Sequence, residues 1–127
     1  MNVTHPGQMN EAFARAFNSR NMDELLALYE PNAVLRVDGT ERTLAGLDAI
    51  AGELKQFLQV PGTMTSKNNF CVESGDLALL RADWELSGPD GTAIVSGSSA
   101  EVVRRQPDGS WLYVIDHAMG AALPRVR

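Results

Sequence analysis

Apolar positions recur at helical spacing in the first half of the chain and at strand spacing in the second. Met9, Phe13, Ala16 and Phe17 form one stripe and predict a helix over 9–19. Asn21 is placed to cap a short second helix. Asp23 and Glu24 fall in its first turn, where the positive end of the helix dipole favours acids. Leu25, Leu26, Leu28 and Tyr29 supply its buried side, and Pro31 is expected to end it. Val34-Leu35-Arg36-Val37 predicts a short strand closed by an Asp38-Gly39 turn. Leu47, Ile50, Leu54, Phe57 and Leu58 mark one face of a third helix over 47–58, stopped by Pro61-Gly62.

Strands are predicted over 63–73, 77–87, 92–105 and 110–117. Ser74-Gly75-Asp76, Pro89-Asp90-Gly91 and Pro107-Asp108-Gly109 separate them, which makes an antiparallel meander. Helices first and strands second is an α+β pattern. Strands this long twist and curl, so the sheet is expected to wrap around the helices and leave a cavity.

Pro-Asp-Gly suits a three-residue hairpin, a type I turn followed by a left-handed glycine. Such a turn sets the register, and the register sets the faces. Counting outward, Gln106 opposes Ser110 and Ala100 opposes Asp116. Gly88 opposes Thr92, Trp84 opposes Ser96 and Leu80 opposes Ala100. A three-residue first loop sets Phe70 against Leu80 and Asn68 against Ala82. One face then gathers Met64, Asn68, Phe70, Ala82, Trp84, Ser96, Ser98, Ala100, Val102, Val114 and Asp116. Apart from Arg104 at a rim, Asp116 is its only charge. This face is expected to be concave and covered by the helices. The other face holds Arg81, Asp83, Glu85, Glu101, Trp111, Tyr113, Ile115 and His117. Its aromatic and aliphatic members predict cover by a partner subunit, a homodimer through the convex sheet face.

The cavity is expected between the sheet residues Trp84, Asn68, Ser98, Met64 and Phe70 and the helix residues Phe13, Phe17 and Phe57. Asp116 is the catalytic candidate. A carboxylate on an apolar face is desolvated, which raises its pKa toward the range useful for proton transfer. That suits enolisation, aldol cyclisation or dehydration of a small carbonyl compound. The alternative is that Asp116 only accepts hydrogen bonds and orders the pocket. Trp84 either stacks a flat ligand or fills the core. Asn68 and Ser98 either orient a ligand carbonyl or satisfy the carboxylate. Tyr29 is read as a core residue with its hydroxyl near the pocket. His117 points away from Asp116 on a regular strand, which favours a strand-end or interface histidine.

Composition removes several function classes. The 127 residues fit one domain, over 1–127. A net charge of −5 argues against phosphate-borne nucleic-acid binding and against an anionic membrane surface. Cys71 is the only cysteine, so no intrachain disulfide forms, which fits the cytoplasm. No apolar run approaches the roughly 18 residues of a membrane span. Residues 1–8 are polar and lack the layout of a signal peptide. Two scattered histidines and one cysteine give no metal spacing, and there is no glycine-rich phosphate loop, so no metal or cofactor is expected. No base stands beside a Ser or Cys nucleophile.

The order of elements is similar to the nuclear transport factor 2-like superfamily. Phe13 to Leu35 (FARAFNSRNMDELLALYEPNAVL), Gly46 to Ile50 (GLDAI) and Asp108 to His117 (DGSWLYVIDH) resemble its SnoaL-like, SgcJ/EcaC-type members. The resemblance implies a cone-shaped α+β barrel, with N-terminal helices packed in the concave face of a curved, mainly antiparallel sheet. It implies isomerase, cyclase or dehydratase chemistry by a pocket carboxylate. In SnoaL-like cyclases such an aspartate lies on a late strand, and Asp116 resembles it in placement. A ketosteroid isomerase would carry a tyrosine on the first helix, where this chain has phenylalanines. Three functions stay open: a cofactor-free acid–base enzyme, a carrier of a small apolar or carbonyl-containing ligand, and a dimerisation module.

Overall fold

The computed structural model describes residues 2–126; Met1 of the polar leader lies outside them. Among these residues, three helices pack against a curved seven-stranded sheet. Helix α1 spans Met9–Ser19, as its apolar stripe predicts. It ends where Arg20 turns left-handed at φ 60°. The Arg20 guanidinium then donates to the carbonyls of Leu58, Val60 and Gly62, tying the end of α1 to the segment that precedes the strand from Thr63. Asn21 caps α2 (Met22–Leu26), its Oδ1 accepting from the backbone N–H of Asp23 and of Glu24. Pro31 does not end this helix. It lies inside β1 (Tyr29–Arg36), in the stretch where pairing with a neighbouring strand shifts register, a place that tolerates a missing N–H. Strand β2 (Thr43–Ala45) is a short edge that the hydrophobic pattern does not predict. Helix α3 spans Leu47–Phe57.

The meander follows: β3 (Thr63–Ser74), β4 (Leu77–Ser87), β5 (Ala93–Ser98), β6 (Ala100–Arg105) and β7 (Trp111–His117). The sheet order is β2-β1-β7-β6-β4-β3, with β5 beside β4, and β1 runs parallel to β7. The two predicted Pro-Asp-Gly turns, the second and third of the meander, form as expected. Gly91 and Gly109 take φ 81° and 86°, and each donates its N–H back across the turn, to Gly88 and to Gln106. The first loop is shorter than predicted, since Ser74 pairs directly with Leu77.

Three one-residue shifts then overturn the expected faces. The first lies at Asn69, so Asn68 still pairs with Ala82 but Phe70 pairs with Arg81 and Cys71 with Leu80. The second lies at Ile94. Ser87 pairs with Ala93, but Leu86 pairs with Val95, Trp84 with Gly97 and Leu80 with Glu101. Every side chain from Val95 to Arg105 therefore changes face relative to the expectation. Trp84 and Ala100, expected together, lie on opposite sides. The third lies at Val114: Val103 pairs with Tyr113, but Val102 pairs with Ile115 and Glu101 with Asp116.

The inner face thus gathers Leu80, Ala82, Leu86, Glu101, Val103, Trp111, Tyr113 and Asp116, all buried. Glu101, Trp111 and Tyr113 belong inside, not on the convex face. With Phe17, Leu25, Ile50 and Leu54 from the helices they form the core. The outer face carries a row of directly paired residues, Val72, Leu79, Val102, Ile115 and Val34, across five strands. No helix among the described residues is long and apolar enough to cross a membrane.

Candidate functional site

Between α1, α3 and the inner face lies a cavity of about 200 Å³. Phe13, Leu54, Phe57, Met64, Ala82 and Trp84 make its walls largely apolar. Trp84 is anchored rather than free, because its Nε1 donates to the Ala118 carbonyl at 2.7 Å. Its ring meets Phe57 edge-on at 6.4 Å. Arg36, Asp38 and Glu53 also border the cavity.

Two carboxyls face this apolar space, Asp116 on β7 and Glu101 on β6, at directly paired positions. Asp116 reaches the pocket, as the sequence implies, although the expected pairing with Ala100 is wrong. The shift at Ile94 turns β6 over, and the shift at Val114 turns the end of β7 back, so the two offsets cancel from Ile115 to His117 and leave Asp116 inside. Glu101 is the residue that strand counting misses. The overlooked signal was Trp111 and Tyr113. Burying two large aromatics across the Pro107-Asp108-Gly109 hairpin requires Val103 and Glu101 on the same side.

Each carboxyl has its own partners. The Tyr29 hydroxyl donates to Asp116 Oδ2 at 2.5 Å. Asn10 Nδ2 donates to Glu101 Oε1 at 3.0 Å. The Tyr113 hydroxyl donates to Asn10 Oδ1 at 2.7 Å. Burial is the main reason both acids hold protons more tightly than usual. Asp116 is pushed up to about 6, raised further by the charge of Asp38 and held back by the Tyr29 bond. Glu101 is pushed up to about 8 by burial and then by the charge on Asp116, against the hydrogen bonds of Ser99 and Asn10. The Tyr29 hydrogen bond favours the Asp116 anion, and the Asp116 charge in turn favours a protonated Glu101. Burial also drives Tyr29 and Tyr113 well above the usual tyrosine range, so both remain O–H donors.

The other predicted lining residues divide by these shifts. Phe13, Phe57, Met64 and Trp84 line the cavity. Phe17 is fully buried one layer behind, its ring 4.8 Å from Phe57. Asn68 stands beside the site, accepting from Asn10 and donating to the Phe70 carbonyl. Tyr29 lies behind Asp116 as its donor. Ser98 and Phe70 are corrections: the shifts at Ile94 and Asn69 turn both outward. Ser98 donates to exposed Asp83, and Phe70 is 39% exposed. Ser99 replaces Ser98 on the cavity wall, and its hydroxyl accepts the Ala82 N–H in the ladder where β5 gives way to β6. His117 faces away, 3.6 Å from Asp38. Among the described residues, no three His, Cys, Asp or Glu side chains gather to hold a metal ion.

The sequence profile of the SnoaL-like domain family matches residues 10–114. A search of curated proteins finds no match to the sequence. Among solved structures, a candidate calcium/calmodulin-dependent protein kinase type II association domain from Thiobacillus denitrificans superposes with TM-score 0.78 at 20% identity, covering 94% of this chain and 98% of that one. A candidate dehydratase of the NTF2-like family from Streptomyces avermitilis gives 0.71 at 19% identity, covering 90% and 92%. A ketosteroid isomerase-like protein from Erwinia carotovora atroseptica gives 0.68 at 22% identity, covering 86% and 88%. At these identities the likeness is one of fold.

Proposed function

This chain belongs to the SnoaL-like domain family, and from that premise we propose that it is a small-molecule pocket protein catalysing cofactor-free proton transfer on a carbonyl compound. The reaction class is that of an isomerase, cyclase or dehydratase. The observation that carries the proposal is the pair of buried carboxyls, Glu101 and Asp116, paired across β6 and β7 and opening on an apolar cavity.

Between about pH 6 and pH 8 the pair holds one proton, on Glu101. Asp116 is then the base and Glu101 the acid. Asp116 removes a proton from the carbon beside the ligand carbonyl, while Glu101 gives its proton to the carbonyl oxygen. The product is a neutral enol. Asp116 then returns its proton to another carbon, or to a departing hydroxyl, and Glu101 recovers the enol proton. An anionic ligand is disfavoured, because Asp38 and Glu53 add negative charge around the cavity against Arg36 alone. Relatives named as a dehydratase and as ketosteroid isomerase-like fall in the same reaction class.

Deuterium uptake at the α-carbon of cyclic ketones in heavy water, followed by NMR, tests this without knowledge of the natural substrate. Asp116→Asn is expected to lower uptake by about 100-fold or more, with ligand quenching of tryptophan fluorescence retained. Equal uptake by both proteins leaves a carrier with no turnover.

The outer apolar row is assigned to a second copy of the chain. It crosses five strands without a charge, and a similar structure is named as an association domain.

A further inference from the structure

We propose that Asn10 is a positioning residue whose amide, oriented by the Tyr113 hydroxyl, fixes Glu101 Oε1 as an acceptor and leaves Oε2 to carry the proton offered to the ligand. The inference rests on reading Glu101 and Asp116 as the acid–base pair. Asn10 comes from α1, 91 residues before Glu101, and is buried. Every polar atom of its amide is engaged. Oδ1 accepts from Tyr113, and Nδ2 donates to Glu101 Oε1 and to Asn68 Oδ1. Tyr113 sets the direction, since its hydroxyl has one proton and its nearer acceptor is Asn10 Oδ1, at 2.7 Å, rather than the Met9 carbonyl at 3.2 Å. A reversed amide would present oxygen to Glu101, draw the Glu101 proton toward Asn10 and take it from the ligand. Asn68 resists that reversal, because its own amide is held by the Phe70 carbonyl next to the shift at Asn69.

The ionisable groups around Glu101 are Asp116 and Tyr113 on β7 and Tyr29 on β1. Asp38, Arg36 and Glu53 border the same cavity. A change at Asn10 leaves all of these in place. The test reads the Glu101 carboxyl by carbon-13 NMR in ligand-free protein, for the wild type, Asn10→Ala and Tyr113→Phe. Circular dichroism checks that each variant is folded. Both changes remove support for the Glu101 anion, so its titration midpoint is expected to rise by about half a pH unit or more. Ketone exchange is expected to fall about tenfold in kcat with KM nearly unchanged, and its alkaline limb to move upward. Tyr113→Phe, which removes one oxygen, decides the matter if Asn10→Ala does not fold. An unmoved Glu101 midpoint in a folded variant overturns the proposal. Failure of the acid–base reading is separate: it would show as wild-type protein that exchanges no ketone proton, whatever the ligand-free titration gives.

Discussion

On the inner face of the sheet two acids lie buried, while on the outer face Val72, Leu79 and Ile115 are 58%, 47% and 45% exposed. Soluble sheets with one covered face usually show the reverse distribution. Each departure has a different physical requirement. The inner acids must be supplied with protons or donors, and Tyr29, Tyr113 and Asn10 meet that need within the chain. The outer aliphatics need only an apolar cover, which the chain alone does not supply. The inner face therefore satisfies its acids within the chain, and the outer face, read as proposed above, is half of an interface.

Adjacent leucines on β4 put this contrast to the most severe test. Leu80 is fully buried and Leu79 is half open. Leu80→Ala is expected to cost about 2–5 kcal/mol in urea unfolding, through lost burial and the cavity left behind. Leu79→Ala is expected to cost less than about 1 kcal/mol in dilute protein, where no partner covers it. Equal costs would mean that the two faces are not distinct in the way described.

Protonation probes the inner face alone. Glu101 and Asp116 have folded-state pKa values raised above their unfolded ones, so the folded protein binds more protons. Their favourable contribution is complete below about pH 4 and is lost as pH rises through about 6 for Asp116 and about 8 for Glu101. Melting temperature should fall between pH 5 and pH 8.5. Glu101→Gln should remove most of the later part of that fall, an effect on the order of 2–3 kcal/mol at pH 8.5. A wild-type protein as stable at pH 8.5 as at pH 5 would contradict the buried pair.

The smallest effect on the fold belongs to the outer face. Ile115→Glu should leave monomer stability within about 0.5 kcal/mol. It should shift the protein from dimer to monomer in sedimentation, because two copies would bring buried like charges together. A dimer that survives the change places its interface elsewhere.

The amino-acid sequence alone determined α1 and, to within a residue, α3, the Asn21 cap, the two Pro-Asp-Gly turns and the change from helix to meander after α3. These are local matters: 3.6-residue periodicity, a side chain capping its own helix, and glycine at a left-handed position are decided within a few residues. Tertiary structure decided which side of the sheet each later strand presents. The shifts at Asn69, Ile94 and Val114 each insert one residue where a curved sheet must bend around its helices. In the run Ala100-Glu101-Val102-Val103 both alternating sets contain apolar residues, so period two cannot choose between them. Closing the sheet over α1 chose, by burying Trp111 and Tyr113. That choice carried Glu101 into the cavity beside Asp116 and turned Ser98 out of it, while the separate shift at Asn69 turned Phe70 out.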